Sequence, residues 1–438
     1  MAQRTSPFNI QTCARPNILA LQPYRCARDD YKDDGTNILL DANENAYGPG
    51  LFLTNNGKIA NGSINQHGEE ERELEVDLLG LNRYPDPHQI ELKQKLCNLR
   101  NTHTHTSKTL KPENLFVGVG SDEAIDALLR CFCTPGKEKI LTCPPTYGMY
   151  GVSAQVNDIE IVKVPLDDSK EFTLRPDAIN AKLSEDPSIK MVYICSPGNP
   201  TAGTIAKSDV QKVLEHPTWN GVVVVDEAYI DFAPEGTSLA EWVTEWPNLV
   251  VMQTLSKAFG LAGIRLGAAF TSPEIAALLN NMKAPYNISS PTSTLAAAAL
   301  SPKNLKVMHE NRERIIQQRE RLIKELPQIP GVGRFRGGFD SNFLLLEFLD
   351  KPRQNGGKPC NETALSVYEA LAEKKGVVVR FRGKEYGCQG CLRITVGTES
   401  EVDRFLAELK DVLAEILEKK KGAADEAAKE QKANDIVA

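Results

Sequence analysis

Between residues 115 and 270 the chain repeats one arrangement: a short, mostly apolar run, then a longer stretch whose apolar residues recur at helical spacing. The runs are 115–119, 139–143, 159–164, 191–195, 222–225, 249–253 and 265–270. Their near-continuous apolar character suits strands covered on both faces, which means a mostly parallel sheet with helices above and below. Ile125, Leu128, Leu129 and Phe132 keep the i, i+3, i+4, i+7 spacing of one helix face, and Ser121 is placed to cap that helix. The pattern predicts an α/β fold with a large doubly wound domain.

A chain of 438 residues is too long for one ordinary core, so a second domain is expected. A long helix over 303–326, with Leu305, Met308, Ile315, Ile316, Leu322 and Ile323 on its apolar side, leads out of the first. Strands at 342–348, 376–381 and 392–396 follow. Thr398 and Glu401, in capping-box spacing, then open a helix with Val402, Phe405, Leu406, Leu409, Val412, Leu413, Ile416 and Leu417 on its packed face. The expected division is a large domain over 86–302, a linking helix and C-terminal small domain over 303–420, and a mobile tail over 421–438. Residues 1–85 form an N-terminal arm and part of the small domain. Within them the Gly/Asn-rich and acidic stretch 51–77 reads as a loop insertion.

No apolar run approaches the length of a membrane span. A formal charge of −7 without a clustered basic patch argues against nucleic acid, whose phosphates need grouped Lys and Arg. Ten scattered cysteines, several inside apolar stretches, suit a reducing compartment. Cys388 and Cys391 form a C-x-x-C pair, but no second pair or flanking histidine completes a metal site. Arg4 and Arg15 precede the first acid, yet neither a signal core nor a clear amphipathic helix accompanies them, so a cytoplasmic location is expected.

Four segments carry chemistry. In the segment 254–265 Lys257 directly follows a buried strand among small residues, where its pKa can fall and its amine become nucleophilic, as Schiff-base chemistry requires. Ser256 and Arg265 could hold an anion beside it. Asp226 ends the strand 222–225 at its carboxyl end, where open α/β sheets bind ligands. Alone it would read as a capping aspartate. Beside a Schiff-base lysine it reads as the carboxylate that keeps a pyridine nitrogen protonated. Asn199 sits between Pro197 and Pro200 after another strand, which by itself is only a turn. The glycine-rich turn 118–124 joins a strand to a helix start and could receive a phosphate, though such turns are common.

Taken together these segments resemble the fold type I, or aspartate aminotransferase, superfamily of pyridoxal-phosphate enzymes. More narrowly the chain is similar to the histidinol-phosphate aminotransferases. The likeness is carried by the motifs at 41–45, 83–86, 143–150, 226–232, 254–265 and 391–398, in order and at compatible spacing from about residue 17 to 417. The resemblance implies fold type I, with the smaller α+β domain built from the N- and C-terminal segments. It implies that Lys257 carries pyridoxal 5'-phosphate as a Schiff base, that Asp226 pairs with the pyridine nitrogen, and that Asn199 and Tyr229 contact the phenolic oxygen. Tyr147 would stack on the ring. The phosphate would be held by Ser121, Asp122, Glu123, Ser256 and Arg265, and by Tyr84 reaching from the neighbouring subunit of a homodimer. Arg393 resembles the carboxylate-binding arginine, while Arg380 and Tyr24 match positions used for the substrate's phosphate.

The implied reaction moves an amino group between L-histidinol phosphate and 2-oxoglutarate, giving imidazole-acetol phosphate and glutamate, with Lys257 as general base and acid. Gly198 stands where the family commonly has asparagine, Ala202 stands where it has glycine, and 51–77 is longer than in compact members. An aromatic amino-acid aminotransferase or a phosphothreonine-type decarboxylase would keep the same lysine, aspartate and Arg393. A non-catalytic pyridoxal-phosphate regulator should add a DNA-binding module, which is not evident.

Overall fold

A computed structural model describes residue 20 and residues 36–51, 60–61, 72–73 and 79–437. Tyr24 and most of the 51–77 stretch lie outside the described residues. The first short strands are β1 (Ile38–Leu39) and an antiparallel pair, β2 (Ala60–Asn61) with β3 (Arg72–Glu73).

Seven strands then build the central sheet: β4 (Leu115–Val119), β5 (Lys139–Thr142), β6 (Glu160–Lys163), β7 (Ile189–Cys195), β8 (Val222–Asp226), β9 (Leu249–Thr254) and β10 (Leu266–Phe270). Their order is β4-β10-β9-β8-β7-β5-β6. The five strands from β9 to β6 run parallel, and β10 runs antiparallel to both β9 and β4. The short 255–265 connection accounts for the reversal, because a parallel crossover needs a dozen or more residues. Side chains alternate between two apolar layers: Val223, Val225 and Val251 enter one, Val224, Val250 and Met252 the other. The sheet is therefore covered on both faces, as its apolar strands predict.

The first long helix covers Gly120–Phe132 and buries Ile125, Leu128 and Leu129. Ser121 lies within its first turn and is not its cap. The Glu123 carboxylate reaches back to accept the Val119 N–H, so that orphan donor is satisfied without the serine.

A second, antiparallel sheet has the order β11-β12-β15-β14. It joins β11 (Val332–Arg336), β12 (Phe343–Phe348), β14 (Arg380–Phe381) and β15 (Cys391–Thr395), while β13 (Val377–Val378) pairs in parallel with β1. The apolar run 376–381, expected to be one strand, thus serves two partners and changes over at Val379. The helix Pro302–Glu325 buries Asn304, Met308, Asn311, Ile315, Arg319 and Leu322, a stripe at three- and four-residue spacing. Arg319 is admitted because its Nη1 donates to the Ser341 carbonyl at 3.0 Å. The last helix, Glu399–Val437, opens with the expected capping box: the Glu401 carboxylate accepts Thr398 N–H at 2.7 Å, and Thr398 Oγ1 accepts Glu401 N–H at 3.4 Å. It continues through Val437, past the apolar stripe that ends at Leu417. Among the described residues no helix is long and apolar enough to cross a membrane.

Because β10 alone runs against the other six strands, the ends of β4, β7, β8 and β9 meet the start of β10 at one sheet edge. Gly267 makes this approach possible, since a Cβ there would lie 2.3 Å from the Ser121 nitrogen. Gly267→Ala should destabilise the protein by about 1–3 kcal/mol through overpacking against backbone. Gly148→Ala, at φ −65 with nothing within 4 Å of the new Cβ, should be neutral or stabilising by up to about 1 kcal/mol. Denaturant midpoints of the two variants check the contrast.

Candidate active site

The strand ends and the second sheet enclose one cleft. Lys257, Asp226, Asn199, Tyr229, Tyr147, Ser121, Asp122, Ser256, Arg265, Arg380 and Arg393 all line it. Lys257 stands on the turn after β9, its Nζ donating to the Ala42 carbonyl at 3.0 Å and lying 5.8 Å from the centre of the Tyr229 ring. Burial, then the Arg393 guanidinium, lowers its pKa to about 8, so a usable fraction of the amine is neutral near neutral pH.

Asp226 terminates β8 and is 2% exposed. It accepts the Tyr150 hydroxyl at 2.6 Å and the Ala228 N–H at 3.2 Å. Burial raises its pKa to about 6 despite both donors. A carboxylate so placed gains from a cationic ligand group that would share its proton. Tyr150 is wholly buried and stacked on Tyr193, with ring centres 4.7 Å apart, so its hydroxyl is fixed in place.

On the opposite wall a chain of polar groups orients Tyr229. Its hydroxyl accepts Asn43 Nδ2 at 3.0 Å and Asn199 Nδ2 at 3.5 Å, which leaves its own proton to donate. Burial pushes that proton's pKa up to about 12. Asn199 is in turn held by Arg393 Nη1 at 2.8 Å, and Arg393 Nη2 donates to the Asp41 carbonyl. The loop presenting Asn199 closes through Gly198 N–H to Gly203 O at 2.9 Å and Ala202 N–H to Gly198 O at 2.8 Å. A Cβ at Gly198 would sit 2.0 Å from Thr201 Oγ1, so a side chain there would require the Thr201 hydroxyl to move. Ala202 takes the left-handed φ of +57 that glycine would adopt without strain.

The third wall is an anion cradle. The first turn of helix Gly120–Phe132 points its N–H groups there, beside Ser256 and Arg265. Arg265 Nη2 lies 3.3 Å from Asp122 Oδ2, and Tyr147 OH donates to Asp122 Oδ1 at 3.2 Å. Gly120, at φ +70, leaves room for this arginine, because a Cβ there would be 2.7 Å from Arg265 Nη2.

Two further residues do not line this cleft: Glu123, through its side chain, and Tyr84, expected to serve the neighbouring subunit. Glu123 turns away from the cleft and, besides Val119, accepts Asn287 Nδ2 at 3.1 Å. Tyr84 is 81% exposed and stacks on Tyr286 at 4.5 Å. Asp41, Asn43 and Glu44 from the N-terminal segment, Cys195 and Arg382 also line the cleft, and Tyr150 supports it from behind. The motifs at 41–45 and 143–150 point to several of these, but nothing in their spacing assigns them a contact.

A family model for aminotransferase class I and II matches residues 38–409. The chain is 54% identical over 413 residues to the histidinol-phosphate aminotransferase of Schizosaccharomyces pombe, covering 94% of this chain and 100% of that one. It is 47% identical over 414 residues to that of Saccharomyces cerevisiae, covering 93% and 98%. The crystal structure of histidinol-phosphate aminotransferase from Sinorhizobium meliloti in complex with pyridoxal-5'-phosphate shares the fold at a TM-score of 0.74 and 20% identity, over 92% of this chain and 98% of that one. With a lysine, a buried carboxylate and an anion cradle meeting in one cleft, and with relatives this similar along nearly the whole chain, the protein belongs to the class I and II aminotransferases and, within them, to the histidinol-phosphate aminotransferases.

Proposed function

We propose that the protein exchanges the amino group of L-histidinol phosphate with 2-oxoglutarate, giving imidazole-acetol phosphate and glutamate in histidine biosynthesis. The observation that carries this reading is the meeting of Lys257 and Asp226 with Arg393 and Arg380 in one cleft, on a chain 54% identical to a curated enzyme of that name. The residues fit pyridoxal 5'-phosphate: a low-pKa amine for its aldehyde, a buried carboxylate for its ring nitrogen, and the Ser121, Asp122, Ser256 and Arg265 cradle for its phosphate. When bound, that group supplies an aldehyde and an electron-accepting ring.

Lys257 binds the cofactor, and its amine moves the proton at the substrate carbon as base and then acid. Asp226 holds a proton on the ring nitrogen, while Tyr150 keeps the carboxylate from becoming too strong a base to share it. Tyr229 and Asn199 present hydrogen bonds to the phenolic oxygen, and Tyr147 covers the ring. Arg393 takes the α-carboxylate of glutamate in a bidentate pair, and Arg380, with Tyr24, takes the phosphate of histidinol phosphate. The enzyme works in the cytoplasm, where free and mostly buried cysteines remain reduced. It acts as a homodimer, with Tyr84 completing the phosphate site of the other subunit.

Incubation with histidinol phosphate and 2-oxoglutarate should yield glutamate and the oxo phosphate, seen by mass spectrometry. Loss of carbon dioxide from a carboxylated substrate in place of amine exchange would assign the chain to a decarboxylase instead.

The rate at which cofactor-stripped protein captures pyridoxal phosphate should follow the neutral fraction of Lys257. With the amine's pKa lowered from 10.5 to about 8, capture should rise with pH and level off above about 8. A visible-absorbance time course across pH 6–10 checks this, and a midpoint near 10 would refute it. Lys257→Ala should show no borohydride-stable attachment.

Tyr84→Ala and Lys257→Ala, each inactive alone, should recover activity when their subunits are exchanged, because a mixed dimer contains one site with both lesions and one with neither. Confirmed exchange without activity would place Tyr84 outside the site.

A further inference from the structure

The register of the second sheet puts five arginines on one face. Arg336 pairs across with Leu345, Leu345 with Arg393, and Arg393 with Arg380, so these four side chains form one row. Two residues along, Arg334, Glu347, Cys391 and Arg382 form the next, since Glu347 pairs with Cys391 and Arg382 N–H donates to the Cys391 carbonyl at 2.9 Å. Glu347 engages Arg334 at 3.2 Å and Arg336 at 3.4 Å and so neutralises that end of the face. Arg380, Arg382 and Arg393 remain turned to the cleft.

Arg382 has no part in the reaction as described so far. Its Nη1 meets Glu385 at 2.7 Å, three residues on in the same loop. Arg382 nevertheless lines the cleft beside Arg380, where its guanidinium can add charge-assisted hydrogen bonds to an oxyanion that Arg380 meets. A phosphate dianion carries more charge and more acceptor oxygens than one guanidinium can satisfy.

We infer that Arg382 is a specificity residue that joins Arg380 in reading the phosphate monoester of the amine substrate. This rests on the proposed function, and the test separates the two. Half-reactions of the holoenzyme are followed by stopped flow with histidinol phosphate, with unphosphorylated histidinol and with glutamate. Arg382→Gln should lower kcat/KM for histidinol phosphate about ten- to thirtyfold, chiefly through KM, and change histidinol and glutamate by less than about threefold. Arg382→Lys should recover part of the loss. An equal loss on all three amines would make Arg382 a structural residue and overturn the inference. If the wild-type holoenzyme ignores histidinol phosphate, the functional reading fails. Inorganic phosphate then decides the inference by itself: its inhibition of the glutamate half-reaction must weaken about tenfold in Arg382→Gln, and unchanged inhibition refutes the role.

Discussion

The return of β10 antiparallel beside β9 sets the geometry on which the cleft depends. A short turn between them brings Lys257, at the end of β9, and Arg265, at the start of β10, to the same edge of the sheet. β4 pairs antiparallel with β10, so the Gly120–Ser121 turn arrives there as well. Had β10 followed a crossover helix and run parallel, its first residue would lie at the far edge, a strand length from the lysine. The anion cradle and the nucleophile are therefore neighbours through strand direction and a glycine close enough to the Ser121 nitrogen to exclude any side chain.

Within that geometry, burial shifts each ionisable group toward neutrality and nearby charge adjusts how far. Lys257 is lowered by burial and by the positive Arg393, and Asp226 is raised by burial and restrained by Tyr150 and a backbone amide. An amine near 8 and a carboxyl near 6 straddle neutral pH. Each is held short of the charge it would carry in water, and a ligand with a carbonyl carbon at one end and a basic ring nitrogen at the other would relieve both. The protein groups are complementary to such a ligand, which agrees with the family to which the chain belongs.

The central sheet was legible because its strands are buried on both faces and read as near-continuous apolar runs. β11 was not, since Val-Gly-Arg-Phe-Arg alternates and carries two arginines whose charge is met only by Glu347 on the next strand. The 376–381 run looked like one strand because apolar pattern records burial and not the identity of the partner. At the site, Lys257 stood out among small residues after a buried strand, while Asp226 and Asn199 read alone as a cap and a turn and gained a role only beside the lysine and the family resemblance. Tyr150 did not, because an aromatic inside an apolar helix reads as core until its hydroxyl is seen against Asp226. The direction of the Glu123 side chain was not legible for a related reason: acidic residues in a first helical turn can face a ligand or cap the helix backwards, and sequence spacing permits both.

The arginines differ in rigidity in a way that suits two unlike substrates. Arg393 is buried on β15, a strand paired on both sides, and is fixed by the Asp41 carbonyl and by Asn199, whose Nδ2 in turn links it to Tyr229. A carboxylate that meets it is read at a set distance from Lys257. Arg380 and Arg382 are half-buried on or just after β14, the edge strand of the same sheet, one at the end of a two-residue ladder and the other tied to its own loop. Edge residues can shift their side chains at lower cost than those held inside a ladder. Under the proposed function, the fixed arginine would lie where glutamate's α-carboxylate and the reacting amine must keep one geometry. On the same reading, the adjustable arginines would lie where a phosphate, carried farther from the amine, must be accommodated and then released when the second substrate takes its turn.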